Sequence, residues 1–386
     1  MHRIRIEERP NWQQLAKEVG FHFHTIDGER YWDESACYRF TLDQIENHIE
    51  DPTAELEQMC FQIVDRVVQD EALLQKLAIP RSYWDYVRQS WLNREKNLYG
   101  RMDFSYDGQS PAKLLEYNAD TPTSLYESAA FQWVWMEQAM EQGLIPPDCD
   151  QFNSIHESLI GAFANMKLQS PLHVAACQGS LEDEGTVLYL EECATQAGLQ
   201  THFIHMEEIG IDEKGRLTDL QDNVIHTLFK LYPWEWMMQE EFGEAMPTSG
   251  TTFIEPAWKS ILSNKGLLPL LWDMFEGHPN LLPAYFADDP NAHLVGEAFV
   301  RKPLLSREGA NVSIHQAGES LENVEGPYGA EGMIVQALHP LPIFEGNHTV
   351  IGSWLVASQP CGIGIREDNS AITKDSSRFI PHVIRD

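Results

Sequence analysis

A chain of 386 residues with 43% hydrophobic content, including 11 Trp and 17 Phe, excludes disorder and is long enough for two or three domains or one elaborate one. Its 59 acidic and 27 basic residues give a formal charge of −32, which excludes nucleic acid as a partner and favours encounter with a cationic small molecule. The six cysteines form no CxxC pair, the histidines no zinc-type cluster with cysteine, and no apolar run approaches a bilayer span, so a cytoplasmic protein with reduced thiols and no membrane partner is expected.

Residues 1–40 read as irregular, with Tyr31-Trp32 a packing contact, and Met1-His2-Arg3-Ile4-Arg5 leads into acidic residues rather than a signal core. From Thr41, a plausible N-cap, the pattern is helical to residue 77. Asp51-Pro52-Thr53 is expected to break that run and start a second helix, in which Leu56, Cys60, Ile63, Val67 and Leu74 recur at helical spacing. A further helix is expected over 82–93.

The stretch 100–124, GRMDFSYDGQSPAKLLEYNADTPTS, organises the rest. Arg101 and Asp103 are two apart, as are Glu116 and Asn118, so on extended strands each pair shares a face. Asp107-Gly108 signals a reversal between them. A hairpin then brings all four to one side. Two carboxylates and a carboxamide oxygen form a hard ligand set suited to Mg²⁺, beside a permanent cation suited to phosphate or an oxyanion. An ordinary polar hairpin face with one salt bridge explains the same residues, and alone they leave both readings open.

A core helix follows over 124–142, with Phe131, Trp133, Val134, Trp135, Met136 and Met140, stopped by Gly143 and Pro146-Pro147. Between 155 and 256 the pattern alternates, with strands at 173–177, 201–205 and 224–231 and a helix over 184–197. This reads as a small open α/β lobe that binds ligands at the carboxyl ends of its strands. Gly179-Ser180-Leu181-Glu182-Asp183-Glu184 lies at such an end. Its acids suit an amine substrate, or equally the positive end of the following helix.

Lys265 lies in a helical run, and Ala298-Phe299-Val300-Arg301-Lys302-Pro303 reads as a strand presenting Lys302. The loop 304–312 and a return strand follow. A lysine beside a glycine-containing β-turn suits ATP phosphates, although the pattern is neither a Walker motif nor GxGxxG. Met333-Ile334-Val335-Gln336-Ala337-Leu338 is a strand able to present backbone edges to adenine. In 362–373, Arg366 is a second fixed cation.

Taken in order, GRMDF, LEYNADT, EPAWKSILSNKGLLPLLW, VRKPLLSREGANV, VQALHPLP and GIREDNSAIT resemble the synthetase domain of the glutathionylspermidine synthase family, over about residues 83–383. The resemblance implies a mixed α/β (α+β) fold: an ATP-grasp-like ligase with an inserted open α/β lobe and a helical N-terminal region. It divides the chain into 1–165, the helical region carrying the metal-binding hairpin; 166–256, the substrate lobe; and 257–386, the nucleotide-binding part. It implies an ATP-dependent carboxylate–amine ligase with ATP and two Mg²⁺ ions, acting on a small carboxylate and an amine such as a peptide thiol and a polyamine. The bifunctional members carry a further amidase domain, and the sequence resembles the stand-alone members.

Carried over by residue, Asp103, Glu116 and Asn118 are implied metal ligands and Arg101 the transition-state stabiliser. Arg101, Met102, Asp103, Lys265 and Lys302 would contact ATP, with Glu308 and Gly309 above the phosphates. Gln336, Ala337, Leu338 and His339 would line the adenine pocket, and Ala371, Ile372 and Thr373 would close it. Thr121, Asp183, Glu184 and Arg366 would meet substrate. In one departure, the acid that would hold the polyamine falls near Arg378, a cation that repels an amine. The other readings are a non-catalytic nucleotide- or partner-binding protein on the same scaffold, and an ATP-grasp kinase.

Overall fold

Thr41 starts the first long helical run: its Oγ1 accepts the Gln44 N–H at 3.2 Å while its own N–H donates to Gln44 Oε1 at 3.1 Å, a reciprocal cap. In the computed structural model, which describes residues 1–26, 28–374 and 377–386, the expected break at Asp51-Pro52-Thr53 does not occur. The chain stays helical from Leu42–Ile45 through wide π turns at Glu46–Glu50 into Asp51–Val67. Pro52 has no N–H for the carbonyl a turn behind it, and the wider turn absorbs the missing bond instead of ending the helix. Leu56, Cys60, Ile63 and Val67 are then fully buried, as their spacing requires.

The second expected core helix is likewise composite, π-wound over Glu127–Phe131 and regular over Gln132–Glu141, with Gly143 past its end at φ +71°. Phe131, Trp135 and Met136 are buried, but Trp133 is 38% exposed, because the apolar residues outnumber the positions that one buried face offers.

Two antiparallel sheets frame the centre of the molecule. In the first, Tyr99–Ser105 lies between Lys113–Asn118 and Asn347–Val356, and Gln359–Asp368 and Arg378–Ile380 continue outward. Segments from both halves of the chain thus share one sheet. The second runs in the order Ala284–Phe286, Met333–Ala337, Ala298–Pro303, Ser313–Gln316, Glu319–Asn323. The α/β lobe is a parallel sheet ordered Thr252–Ile254, Thr227–Lys230, Leu172–Ala176, Thr201–His205, with the helix Leu181–Gln196 packed on it. A small sheet joins the two ends of the chain: Ala36–Phe40 pairs with His2–Arg5 on one side and with His382–Ile384 on the other. The fold is a mixed α/β architecture. No described helix is long and apolar enough to cross a membrane.

Candidate active site

Strand register decides the first half of the site. Arg101 pairs with Asn118 and Asp103 with Glu116, so the four polar side chains emerge on one face of the hairpin. Met102, between them, points the other way into the core and is fully buried there, outside the cavity that the polar face borders. At the reversal, Asp107 Oδ1 accepts the N–H groups of Gln109 and Ser110, and Gly108 takes φ +86°.

Arg101 grips Asp103 as a fork, Nε to Oδ1 at 2.6 Å and Nη2 to Oδ2 at 2.9 Å, and donates from Nη1 to the Thr123 carbonyl at 2.6 Å. Gly352 makes room for it. A Cβ at that position, on the neighbouring strand opposite Asp103, would sit 2.5 Å from Arg101 Cδ. The guanidinium also lies 5.6 Å from the ring centroid of Trp354. Asn118 donates Nδ2 to Asp103 at 3.0 Å and to Glu116 at 3.4 Å, occupying the position between two carboxylates that a cation would favour. A half-turn of the amide exchanges Nδ2 for Oδ1 and completes an all-oxygen donor set, so these residues fit a hard divalent cation such as magnesium.

The lysines arrive from elsewhere in the chain. Lys265 Nζ lies 3.0 Å from Glu116 Oε2 and donates to the Ser306 carbonyl at 2.6 Å. Lys302, on the central strand of the second sheet, donates to the Leu115 carbonyl at 2.9 Å and to Gln336 Oε1 at 2.8 Å. Gln336 is itself anchored by its Nε2 to the Leu114 carbonyl at 3.1 Å.

Between the sheets is a cavity of about 390 Å³, within the range of small-molecule sites. Arg101, Asp103, Glu116 and Asn118 form its floor, and both lysines and Thr121 open onto it. Glu308 and Gly309 cover it from the loop, Leu338 and His339 border it, and Arg366 with Ala371, Ile372 and Thr373 closes a further side. Gly309 has φ +73°, and a Cβ there would lie 2.8 Å from Ile372 Cγ2 and 3.0 Å from the Thr373 carbonyl oxygen, so the loop and the 371–373 turn meet over the cavity. Arg366 donates to the Lys374 carbonyl at 2.6 Å.

Four expected contacts lie outside the lining besides Met102. Gln336 is buried behind Lys302, and Ala337 ends its strand away from the cavity. Asp183 and Glu184 occupy the first turn of Leu181–Gln196, whose cap is Ser180 Oγ accepting the Asp183 N–H at 3.2 Å, and their acids face the positive end of that helix. Arg378 is turned away too, 2.6 Å from Asn347 Oδ1 and near Asp33 and Glu367.

Burial and charge set the ionisation. Burial alone would raise the Glu116 carboxyl, but Lys265 and Lys302 overcome it and hold the group well below the usual range. At Asp103 burial prevails over Arg101 and raises the carboxyl. Burial also pulls Lys302 down to about 8, against the opposing pull of Glu116.

Several lining residues carried no sequence signal. Glu235 sits in WEWM, which reads as apolar packing, yet it faces the cavity 3.6 Å from Arg307 Nη1, and burial raises its carboxyl. Arg307 donates to Thr121 Oγ1 at 2.5 Å. Asp120 forms a fully buried pair with Lys230 at 2.8 Å and accepts the Trp234 N–H at 2.8 Å, which ties the α/β lobe to the hairpin.

A model of the family described as glutathionylspermidine synthase preATP-grasp matches residues 3–385. A Haemophilus influenzae protein named "Putative acid--amine ligase" is 42% identical over 389 residues, covering 97% of both chains. The bifunctional glutathionylspermidine synthetase/amidase of Escherichia coli is 26% identical over 398 residues, and trypanothione synthetase of Crithidia fasciculata is 28% identical over 340. These matches cover 96% and 81% of this chain but 60% and 51% of those longer proteins. In fold, the glutathione synthetase-like effector GSS30 of Globodera pallida, solved in its apo form, matches with a TM-score of 0.56 over 98% of both chains at 10% identity. The protein stands among the ATP-dependent acid–amine ligases. Within that class, it belongs to the glutathionylspermidine synthase family.

Proposed function

We propose that the cavity joins a small carboxylic acid to an amine through an acylphosphate. The carboxylate oxygen attacks the γ-phosphorus of ATP, the bond to the bridging oxygen breaks, and ADP leaves. The amine nitrogen then attacks the acyl carbon, and phosphate departs as the amide forms. Both steps build negative charge on oxygens. Arg101, Lys265 and Lys302 are the cations assigned to that charge, and their fixed hydrogen bonds leave little reorganisation to be done during reaction. Asp103, Glu116 and Asn118 are assigned to two magnesium ions, which when bound withdraw charge from the phosphates.

Glu308 and Gly309 cover the phosphates in this reading. Leu338 and His339 border the base, and Ala371, Ile372 and Thr373 shut it in. Arg366 is assigned to the substrate carboxylate. The amine is assigned to the wall of Thr121 and Glu235, where a carboxylate faces the cavity. Asp183 and Glu184 are left with their helix. Arg378, engaged by Asn347, Asp33 and Glu367, presents no cation to the amine and does not count against a polyamine.

The observation that carries the reading is the meeting of two distant lysines with the carboxylates of one hairpin around a single cavity. The test is a screen of carboxylate and amine pairs for ADP release, short thiol peptides and polyamines first, followed by mass identification of the product. Ligation joins two substrates with loss of water. A product carrying added phosphate would mark a kinase, and ATP bound without consumption in every mixture a sensor; either defeats the proposal.

A further inference from the structure

We infer a second metal site, for zinc or a cation of similar chemistry, at the amino-terminal end of the parallel sheet. His173 and His202 are register partners on neighbouring parallel strands, so their side chains leave the same face. Their ring centroids are 5.2 Å apart. Ala175, Ile204 and Leu217 are all buried in the same core, and Asp219 follows Leu217 by two residues. His173 Nε2 stands 3.6 Å from Asp219 Oδ2, and one ligand atom from each of the three residues lies within 4.8 Å of the others. The cluster borders an open cleft that shares no lining residue with the phosphate cavity.

His173 itself points to a ligand. It is 1% exposed, yet neither ring nitrogen makes a hydrogen bond among the described residues. Buried polar groups are ordinarily satisfied, and this one faces a carboxylate and a second imidazole. Asp219 is already held as a metal-binding carboxylate commonly is. Its Oδ1 accepts the N–H groups of Gln221 and Asn223 at 2.9 and 2.8 Å, and Asn223 Nδ2 donates to Oδ2 at 3.0 Å.

Two imidazoles and a carboxylate match zinc in hardness, with water in the fourth place. Zinc bonds of roughly 2 Å put tetrahedral ligand atoms about 3.3 Å apart, so the His173–Asp219 pair at 3.6 Å is nearly in place and the wider separations, up to 4.8 Å, must contract by up to about 1.5 Å. His202, on an exposed edge strand, has the freedom to supply that movement. The bound ion would pin the edge strand Thr201–His205 and the 219–223 loop to the sheet. No sequence motif announces it, because the ligands come from two strands and a loop.

The test is equilibrium dialysis of the chelator-treated full-length protein against zinc chloride, with the phosphate cavity saturated by magnesium and a non-hydrolysable ATP analogue. One equivalent of zinc is expected in the native protein, with affinity reduced at least about a hundredfold in His202→Ala and in Asp219→Asn. Zinc should raise the melting temperature of the native protein and not of His202→Ala, whose exposed side chain can be removed without touching the core. Cobalt in place of zinc should give the intense visible bands of a tetrahedral site. No bound zinc, unchanged affinity in His202→Ala, or loss of ATP analogue binding in that variant would each overturn the inference.

Discussion

Lys265 Nζ lies 3.0 Å from Glu116 Oε2, a contact that joins the 259–274 helical segment to the hairpin and fixes the charge state of the cavity floor. Removing the lysine leaves a half-buried carboxylate with one cation fewer. Lys265→Met is expected to weaken ATP binding by about ten- to a hundredfold, in line with a lost charge-assisted hydrogen bond of about 1.5–3 kcal/mol. Calorimetric titration of Lys265→Met, Glu116→Gln and the double variant checks it. The two effects should be strongly non-additive, and simple additivity would mean that the pair does not act together.

Arg101 and Gly352 form a second linked pair. Arg101→Ala takes the partner from the buried Asp103 and should cost stability, but the fraction that remains folded should still bind ATP while turnover falls by about a hundred- to a thousandfold, the usual loss on removing one preorganised contact to a developing oxyanion. Gly352→Ala should reproduce much of that loss without touching the arginine, because the added methyl occupies the path of its Cδ. Near-normal ligation in Arg101→Ala would remove that residue from the mechanism.

Lys302 makes nucleotide binding pH-dependent. With its ammonium pulled down to about 8 by burial, it is charged below that pH and increasingly neutral above it. Bound phosphate favours the charged form, so above about pH 8 binding should take up a proton and affinity should fall by up to about tenfold per pH unit. Titrations in buffers of different ionisation heat measure the uptake, and Lys302→Met should abolish it. Folding responds in the opposite sense. The unfolded chain holds this proton more tightly, so the residue's contribution to stability improves as pH rises from about 8 towards the ordinary lysine value.

The loop 304–312 carries Arg307 and meets the 371–373 turn through Gly309. Nucleotide with magnesium should slow tryptic cleavage at Arg307, since ordering of the loop excludes water and protease alike. Gly309→Ala should lose this protection. Cleavage indifferent to nucleotide would argue against a covering role.

Lys259 and Glu255 are both fully buried, 3.5 Å apart. Lys259 donates to the Tyr99 carbonyl at 2.9 Å, while Glu255 accepts the N–H groups of Leu98 and Tyr99, so the pair anchors the start of the strand that carries Arg101 and Asp103. Lys259→Met leaves an uncompensated buried carboxylate and should cost about 3–5 kcal/mol, measured by urea unfolding. The fraction that remains folded should bind ATP normally.

Much of the candidate site was legible in the sequence because its signals are local. Residues two apart on a strand share a face whatever surrounds them, and Asp107-Gly108 turns the chain without tertiary help, so the convergence of Arg101, Asp103, Glu116 and Asn118 followed from spacing and one reversal. Even local rules yielded at Pro52, where packing of Leu56, Cys60 and Ile63 favours a continuous helix and a π turn absorbs the missing hydrogen bond.

What only the tertiary structure decided is which distant segments meet. Glu235, Gly352 and the Asp120–Lys230 pair carry no periodic or motif signal, and their neighbours are set by sheet order. The meeting of His173 with Asp219 depends likewise on a parallel register and a covering loop. The physical reason is that hydrophobic burial, which drives the chain together, is indifferent to direction. Hydrogen-bonded register and shape-matched packing then select the neighbours, and neither is written in any short stretch of the chain.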